Sequence, residues 1–382
     1  MKKLFYSCLV LLTLGCKQRF DPPVTAPPNG YLVVDGIINS GGGPTNIRLS
    51  RAISLSDTSR IKYERNAVVR VEGDNNSFYV LPESSQGLYS AAGLPLANNV
   101  KYRLYVRTTE GKEYTSDYTT AIKTPAIDDI RWEQPEDLQL YINTHDPQNK
   151  TRYYRWEWEE TWEFHSAYTT TLKYLRNSFG EITGIDYLYP NMMYDTMNYI
   201  CWKTEYSTNL LIGSSAKLSK DSIDLPIHFI PHASEKVSQL YSILVRQYAL
   251  SKAGYEFLQK MKKNTEQTGT LFDAQPSELK GNIHANSNPN EIVIGYVEVC
   301  DMQEKRIFIK PSDLLAWGYR TGCMELKVPN NVDSIRAYSY LHPTNVAELT
   351  PRGDIASFYA ADVSCVLCTQ RGVHIKPPFW PR

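Results

Sequence analysis

Tyr154-Arg155-Trp156-Glu157-Trp158-Glu159-Glu160-Thr161-Trp162-Glu163-Phe164 alternates large aromatic side chains with charged ones over eleven residues. Successive side chains of a strand point to opposite faces. Tyr154, Trp156, Trp158, Trp162 and Phe164 therefore share one face, and Glu160 interrupts it. Arg155, Glu157, Glu159 and Glu163 occupy the other. The stretch reads as a strand with an aromatic face on a core and a charged face toward water or a partner. Glu157, Glu159 and Glu163 form a possible binding surface on that second face.

Working outward, the same two-residue period recurs upstream in shorter pieces. Tyr31 to Ile38 is a β-branched run closed by Asn39-Ser40-Gly41-Gly42-Gly43. Asn46 to Leu49, Ala67 to Val71 and Tyr102 to Val106 alternate. Phe78 to Leu81 is short and apolar, and Glu110-Gly111 marks a tight turn. Short strands separated by turn residues at this spacing indicate an antiparallel sandwich. The expected fold is mainly β. An immunoglobulin-like or transthyretin-like sandwich over 30–124 precedes a larger β-rich domain over 125–382, which ends in a cysteine-containing tail.

Downstream, Val237, Tyr241, Leu244, Tyr248, Tyr255, Leu258 and Met261 recur at steps close to the helical period. Ser234 is placed to cap, and Lys260, Lys262 and Lys263 lie near the far end. The spacing predicts one long helix over about 234–263, with Gly254 costing it about 1 kcal/mol relative to alanine. Strands are expected again at Glu291 to Val299 and Lys305 to Lys310.

The amino terminus carries an address. Met1-Lys2-Lys3 is basic, Leu4 to Leu14 is an apolar run, and Gly15-Cys16 closes it. The run has the length of a signal h-region and is too short to span a bilayer, which takes about 20 apolar residues. A small residue directly before cysteine is the pattern of a bacterial lipoprotein signal. Residues 1–15 read as that signal, Cys16 as the lipidated first residue of the mature chain, and 16–29 as a proline-rich tether. Several acyl chains on one residue would give a firm membrane anchor.

The 382 residues hold 41 basic and 41 acidic side chains. Removing 1–15 takes away Lys2 and Lys3 and no acid. That leaves 39 basic and 41 acidic residues, a formal charge of −2. This balance gives no electrostatic footprint for nucleic acid. Cys201, Cys365, Cys368, Cys323 and Cys300 follow the anchor. An exported chain favours disulfides, and five cysteines leave one unpaired. Cys300, in an apolar strand run, is expected to be the free and inert one. Cys201, Cys323, Cys365 and Cys368 are expected to form two bridges, in any of three pairings, stapling the tail to the second domain.

Catalytic signatures are weak. Cys365-x-x-Cys368 sits in a turn-rich tail rather than at a helix start, so neither redox nor zinc chemistry is expected. His228 and His232 are four apart with Pro231 between them, against one helical face. Ser214-Ser215-Ala216-Lys217 matches Ser-x-x-Lys without its companion motifs. Arg352-Gly353-Asp354 is read as a chance match, and Asp195-Thr196-Met197 as at most a weak glycosylation sequon. No enzyme activity, cofactor or metal is expected.

Several segments together resemble a lipoprotein family of Bacteroidota, domain of unknown function 4249. They run from Leu32-Val33-Val34-Asp35-Gly36 and Ile47-Arg48-Leu49-Ser50-Arg51 through Gly87-Leu88-Tyr89-Ser90 and Tyr102 to Val106. Thr124 to Asp128, Cys201-Trp202, Gly281-Asn282-Ile283 and Gly295-Tyr296 follow, then Cys365-Val366-Leu367-Cys368 and Lys376 to Trp380. The family usually has paired glycines after the second tail cysteine, where this chain has Arg371-Gly372-Val373. The resemblance implies an outer-membrane lipoprotein, on either face, often partnered with a TonB-dependent receptor, and no assigned chemistry. The expectation is a non-enzymatic binding or accessory module. An adhesive or structural surface protein is the alternative, and after it a hydrolase of exported polymers using strand or loop carboxylates. Two carboxylates about 5–10 Å apart in a cleft would favour the hydrolase.

Overall fold

The computed structural model describes residues 30–52, 61–191, 196–266 and 279–381. The signal segment 1–15, Cys16, the tether 16–29 and Asp195 lie outside them.

The aromatic–acidic stretch is a thirteen-residue strand, Tyr153–His165, at the centre of the main sheet. One side pairs along its length with Tyr241–Ala249, from Tyr154 opposite Ala249 to Trp162 opposite Tyr241. The other side pairs with Ile200–Tyr206 and Leu211–Ser214. Met302–Ile309 continues the sheet beyond Tyr241–Ala249. Tyr154, Trp156, Trp162 and Phe164 are buried against a second sheet, Ile127–Glu133, Leu138–Thr144 and Ile223–Ile230. The aromatic face is the core face, as the alternation requires.

The predicted helix over 234–263 is corrected. Glu235–Val237 is a short 3-10 turn capped by Ser234, Tyr241–Ala249 is a strand, and only Lys252–Glu266 is α-helix. The strand is buried along most of its length, with Ser242, Ile243, Val245 and Gln247 all at 0 % exposure and only Arg246 and Tyr248 half-buried. Fully buried strands carry no clean alternation, so period cannot separate them from buried helix. The β-branched Ile243 and Val245 favour the strand. The helix begins only after Ser251, whose Oγ accepts from the Gly254 N–H at 3.0 Å.

The amino-terminal unit is a sandwich of two sheets. One holds Leu32–Asn39, Thr45–Arg51 and Leu88–Ala91; the other holds Val68–Gly73, Phe78–Leu81, Lys101–Arg107 and Glu113–Ser116. Leu32, Ile47, Leu49, Val69, Val71 and Leu104 fill the space between them. Residues 283–300, drawn from sequence into the second domain, pack here instead. Val293–Ile294 and Glu298–Cys300 pair in parallel with Leu32–Asn39, and Ile283–Ala285 pairs with Glu113–Ser116. Parallel pairing joins strands far apart in sequence and leaves no local turn signal. The return has one strict steric requirement: a Cβ on Gly281 would lie 1.6 Å from the Gly295 carbonyl oxygen.

A third apolar cluster joins the hairpin Leu172–Arg176/Ile182–Tyr187 to a small sheet of Leu326–Pro329, Ile355–Ala361 and His342–Leu349.

Candidate functional site

The charged face of Tyr153–His165 looks toward the first strand of the sandwich, and the two enclose a cleft. It has two adjoining lobes, of about 420 and about 620 Å³. Asp35, Arg155, Glu157, Tyr206 and Arg246 line both. Volumes of this order suit a small-molecule site.

The cross-strand register builds the polar wall. Tyr248 lies opposite Arg155, and Arg246 opposite Glu157. Each reaches diagonally along the face, as neighbours in a sheet can. The Tyr248 hydroxyl approaches Glu157 Oε2 at 3.4 Å, and an Arg246 N–H donates to Glu159 Oε2 at 3.0 Å. Arg155 donates to Glu157 Oε1 at 2.6 Å and lies 3.6 Å from Asp35 of the sandwich. Arg306 donates to the second oxygen of Glu159 at 3.3 Å. Arginine and carboxylate alternate across the cleft, each satisfied by the other.

The opposite wall is apolar. Phe257, Leu258 and Met261 of the helix and Ile294 and Tyr296 of the returning segment line the smaller lobe. The helix is held there by Glu298, whose carboxylate accepts from Ser251 N–H at 2.9 Å and Ser251 Oγ at 2.6 Å. Burial pushes the Glu298 pKa up, against the Ser251 hydrogen bonds that lower it.

A family model described as Domain of unknown function (DUF4249) matches residues 17–306. The chain belongs to that family. No curated protein matches it. The DUF4249 match takes in the sandwich, the cleft and the returning segment, and stops inside Met302–Ile309.

Of the residues singled out by sequence, Glu157 and Glu159 meet in the cleft of this DUF4249 chain. Glu163, on the same face, does not. His165 holds it at 3.2 Å, and the Trp380 indole N–H donates to it at 3.0 Å. The His165 hydrogen bond, opposed by burial and aided by Trp380, holds the Glu163 carboxyl below its ordinary range. Glu160, on the core face, is fully buried. His228 Nε2 lies 3.0 Å from one of its oxygens, and Lys236 Nζ donates to the other. Burial alone would raise its pKa; the partners outweigh burial and lower it. The Trp158 ring packs on His228 at 4.0 Å between centroids.

The disulfides join Cys201 to Cys368 and Cys323 to Cys365. Cys300 is free and buried. His232 packs on Trp317, apart from His228. Ser214, the serine of the Ser-x-x-Lys match, accepts from the Ala216 N–H at 3.1 Å, and its neighbour Ser215 donates to Asp221, so the match belongs to a structural loop. Arg352-Gly353-Asp354 forms a turn, with Asp354 N–H donating to Thr350 Oγ1 at 3.1 Å.

Asp35, Tyr206 and Arg246 were not readable as site residues. Asp35 and Tyr206 stand at strand positions with no motif around them. Arg246 lies within the span assigned to helix, which hid its place opposite Glu157.

Proposed function

We propose that this DUF4249 chain is a non-enzymatic binding protein, anchored to the outer membrane through lipid on Cys16. Its inter-unit cleft takes a ligand for a TonB-dependent transporter. The observation that carries the binding reading is the cleft wall itself. Glu157 and Glu159 are each paired to guanidinium groups, and Asp35 faces one across the cleft. Carboxylates fixed by arginine recognise polar groups well. The family match and the lipoprotein-like leader support the location and the partner.

The test is capture of the native chain from outer membranes with an antibody, in several mild detergents. A TonB-dependent transporter is expected in the captured complex. Recovery as a free monomer in every detergent contradicts the partnership. The adhesive reading predicts a different outcome, with surface binding to host or matrix material and no transporter.

A further inference from the structure

We propose that the cleft binds an uncharged, hydroxyl-rich ligand, a neutral oligosaccharide. This rests on the cleft being the binding site and adds the ligand's chemistry.

Charge balance comes first. The smaller lobe is lined by Asp35 and Glu157 against Arg155 and Arg246. The larger adds Glu159 and Arg48, again one of each sign. Neither lobe carries a net charge, and Arg48, at the exposed edge of the larger lobe, lies over the Tyr63 ring at 5.8 Å. An anion could recruit Arg155 or Arg246 only by taking it from Glu157 or Glu159. A cation would strip those carboxylates of their arginines. Either exchange leaves a half-buried charge without its partner, which is costly.

Donor and acceptor character comes second. The wall alternates groups that only donate, the guanidiniums, with groups that only accept, the carboxylates. A hydroxyl does both, so it can bridge neighbouring members of the row without breaking the pair. Asp35 retains accepting capacity, since its nearest cation is 3.6 Å away and its side chain is 64 % exposed. Adjacent hydroxyls on a sugar ring match this alternation.

The third observation is the apolar complement. Tyr206 stands at the rim of both lobes and is 63 % exposed, a ring with a free face. Leu258 and Met261 close the smaller lobe. Pyranose rings present C–H faces as well as hydroxyls, and an amphipathic aromatic suits both.

An extended peptide also alternates donors and acceptors, but it would need a free strand edge. The cleft edge of the central strand at Trp158 is already occupied. Trp158 N–H donates to Ser207 Oγ at 3.1 Å, and Ser207 N–H to the Trp158 carbonyl at 2.9 Å.

The experiment titrates the full chain, purified in a detergent that is not a glycoside, by calorimetry and tryptophan fluorescence. The probes are malto-, cello-, laminari-, xylo- and manno-hexaose, hexagalacturonate, and a capped Ser-Gly hexapeptide. At least one neutral hexaose should bind saturably, at least tenfold tighter than hexagalacturonate or the peptide. Tyr206→Ala should weaken that binding at least tenfold, Asp35→Asn should weaken it, and Tyr206→Phe should retain it. Three results overturn the proposal. They are tighter binding of the uronate or the peptide, no saturable binding across the neutral panel, and neutral binding that Tyr206→Ala and Asp35→Asn leave unchanged. Transporter capture is scored separately, so an error in ligand class is distinguishable from an error in the binding role.

Discussion

The indole N–H of Trp380 donates to Glu163 Oε2 at 3.0 Å, joining residues 217 positions apart. The last turn of the chain thus caps the far end of the strand whose near end lines the cleft. Phe379 beside it lies over the Arg306 guanidinium at 3.6 Å, and Arg306 in turn holds Glu159. The tail therefore positions a cleft carboxylate without entering the cleft.

Truncating Trp380 is expected to be costly. Trp380→Phe removes one hydrogen bond to a charged acceptor, about 1.5–3 kcal/mol. Trp380→Ala also opens a cavity where a 5 % exposed side chain stood, about 3–5 kcal/mol in all. Denaturant unfolding of both variants checks the order. Variants as stable as the wild type would show that the tail adds nothing to the sheet.

The two disulfides should differ in weight. Cys201–Cys368 spans 167 positions and Cys323–Cys365 spans 42. On loop-closure entropy the first contributes about 5 kcal/mol and the second about 4 kcal/mol. Unfolding of the paired alanine variants measures this, and the Cys201/Cys368 pair should be the less stable. A reversed order would mean that native contacts, not loop length, dominate. Cys300, buried at 0 %, should resist maleimide until the chain unfolds.

Glu160 sets an acid limit. Its folded pKa lies below the ordinary carboxylate value because His228 and Lys236 outweigh burial. The unfolded chain therefore takes up the proton first as pH falls. The stability this group contributes is present above the unfolded value and is lost as pH drops through the folded one. Glu160→Gln removes the carboxylate that Lys236 and His228 share and leaves Lys236 to Glu205 alone, at 2.8 Å, for a loss of about 1–3 kcal/mol near neutrality. The variant's stability should also fall less steeply with acid. A variant with the wild-type acid slope would contradict this account.

Gly254→Ala reverses the usual rule. Alanine in a helix interior ordinarily gains about 1 kcal/mol over glycine. Here a Cβ would lie 2.1 Å from Glu298 Oε1, a buried carboxylate that caps this helix. The expected result is a loss of about 1–3 kcal/mol, as for overpacking elsewhere. A stabilised variant would mean that Glu298 yields freely.

Legibility followed the local signals. The alternation in 154–164 gave strand, core face and charged face at once, because period two survives wherever one face is wet. The run 241–249 is wet only at Arg246 and Tyr248, so its period carried little such information and the predicted helix was too long by a strand. Glu157 and Glu159 were readable as a surface. That they line a cleft depends on Asp35, some 120 positions upstream, and only tertiary pairing brings it near. The return of 283–300 to the sandwich was hidden for the same reason. Glu163 was grouped with them by parity, but a tail residue at the other end of the chain covers it.

The central claim is that the cleft is the working surface of the protein. A photo-crosslinking amino acid placed at Tyr206 in the cells that make the protein tests it most directly, with Phe179, 87 % exposed in the turn between Leu172–Arg176 and Ile182–Tyr187, as control. The account predicts a discrete adduct of ligand or transporter from position 206, and none from position 179. Equal labelling at both positions, or none at 206, would contradict it.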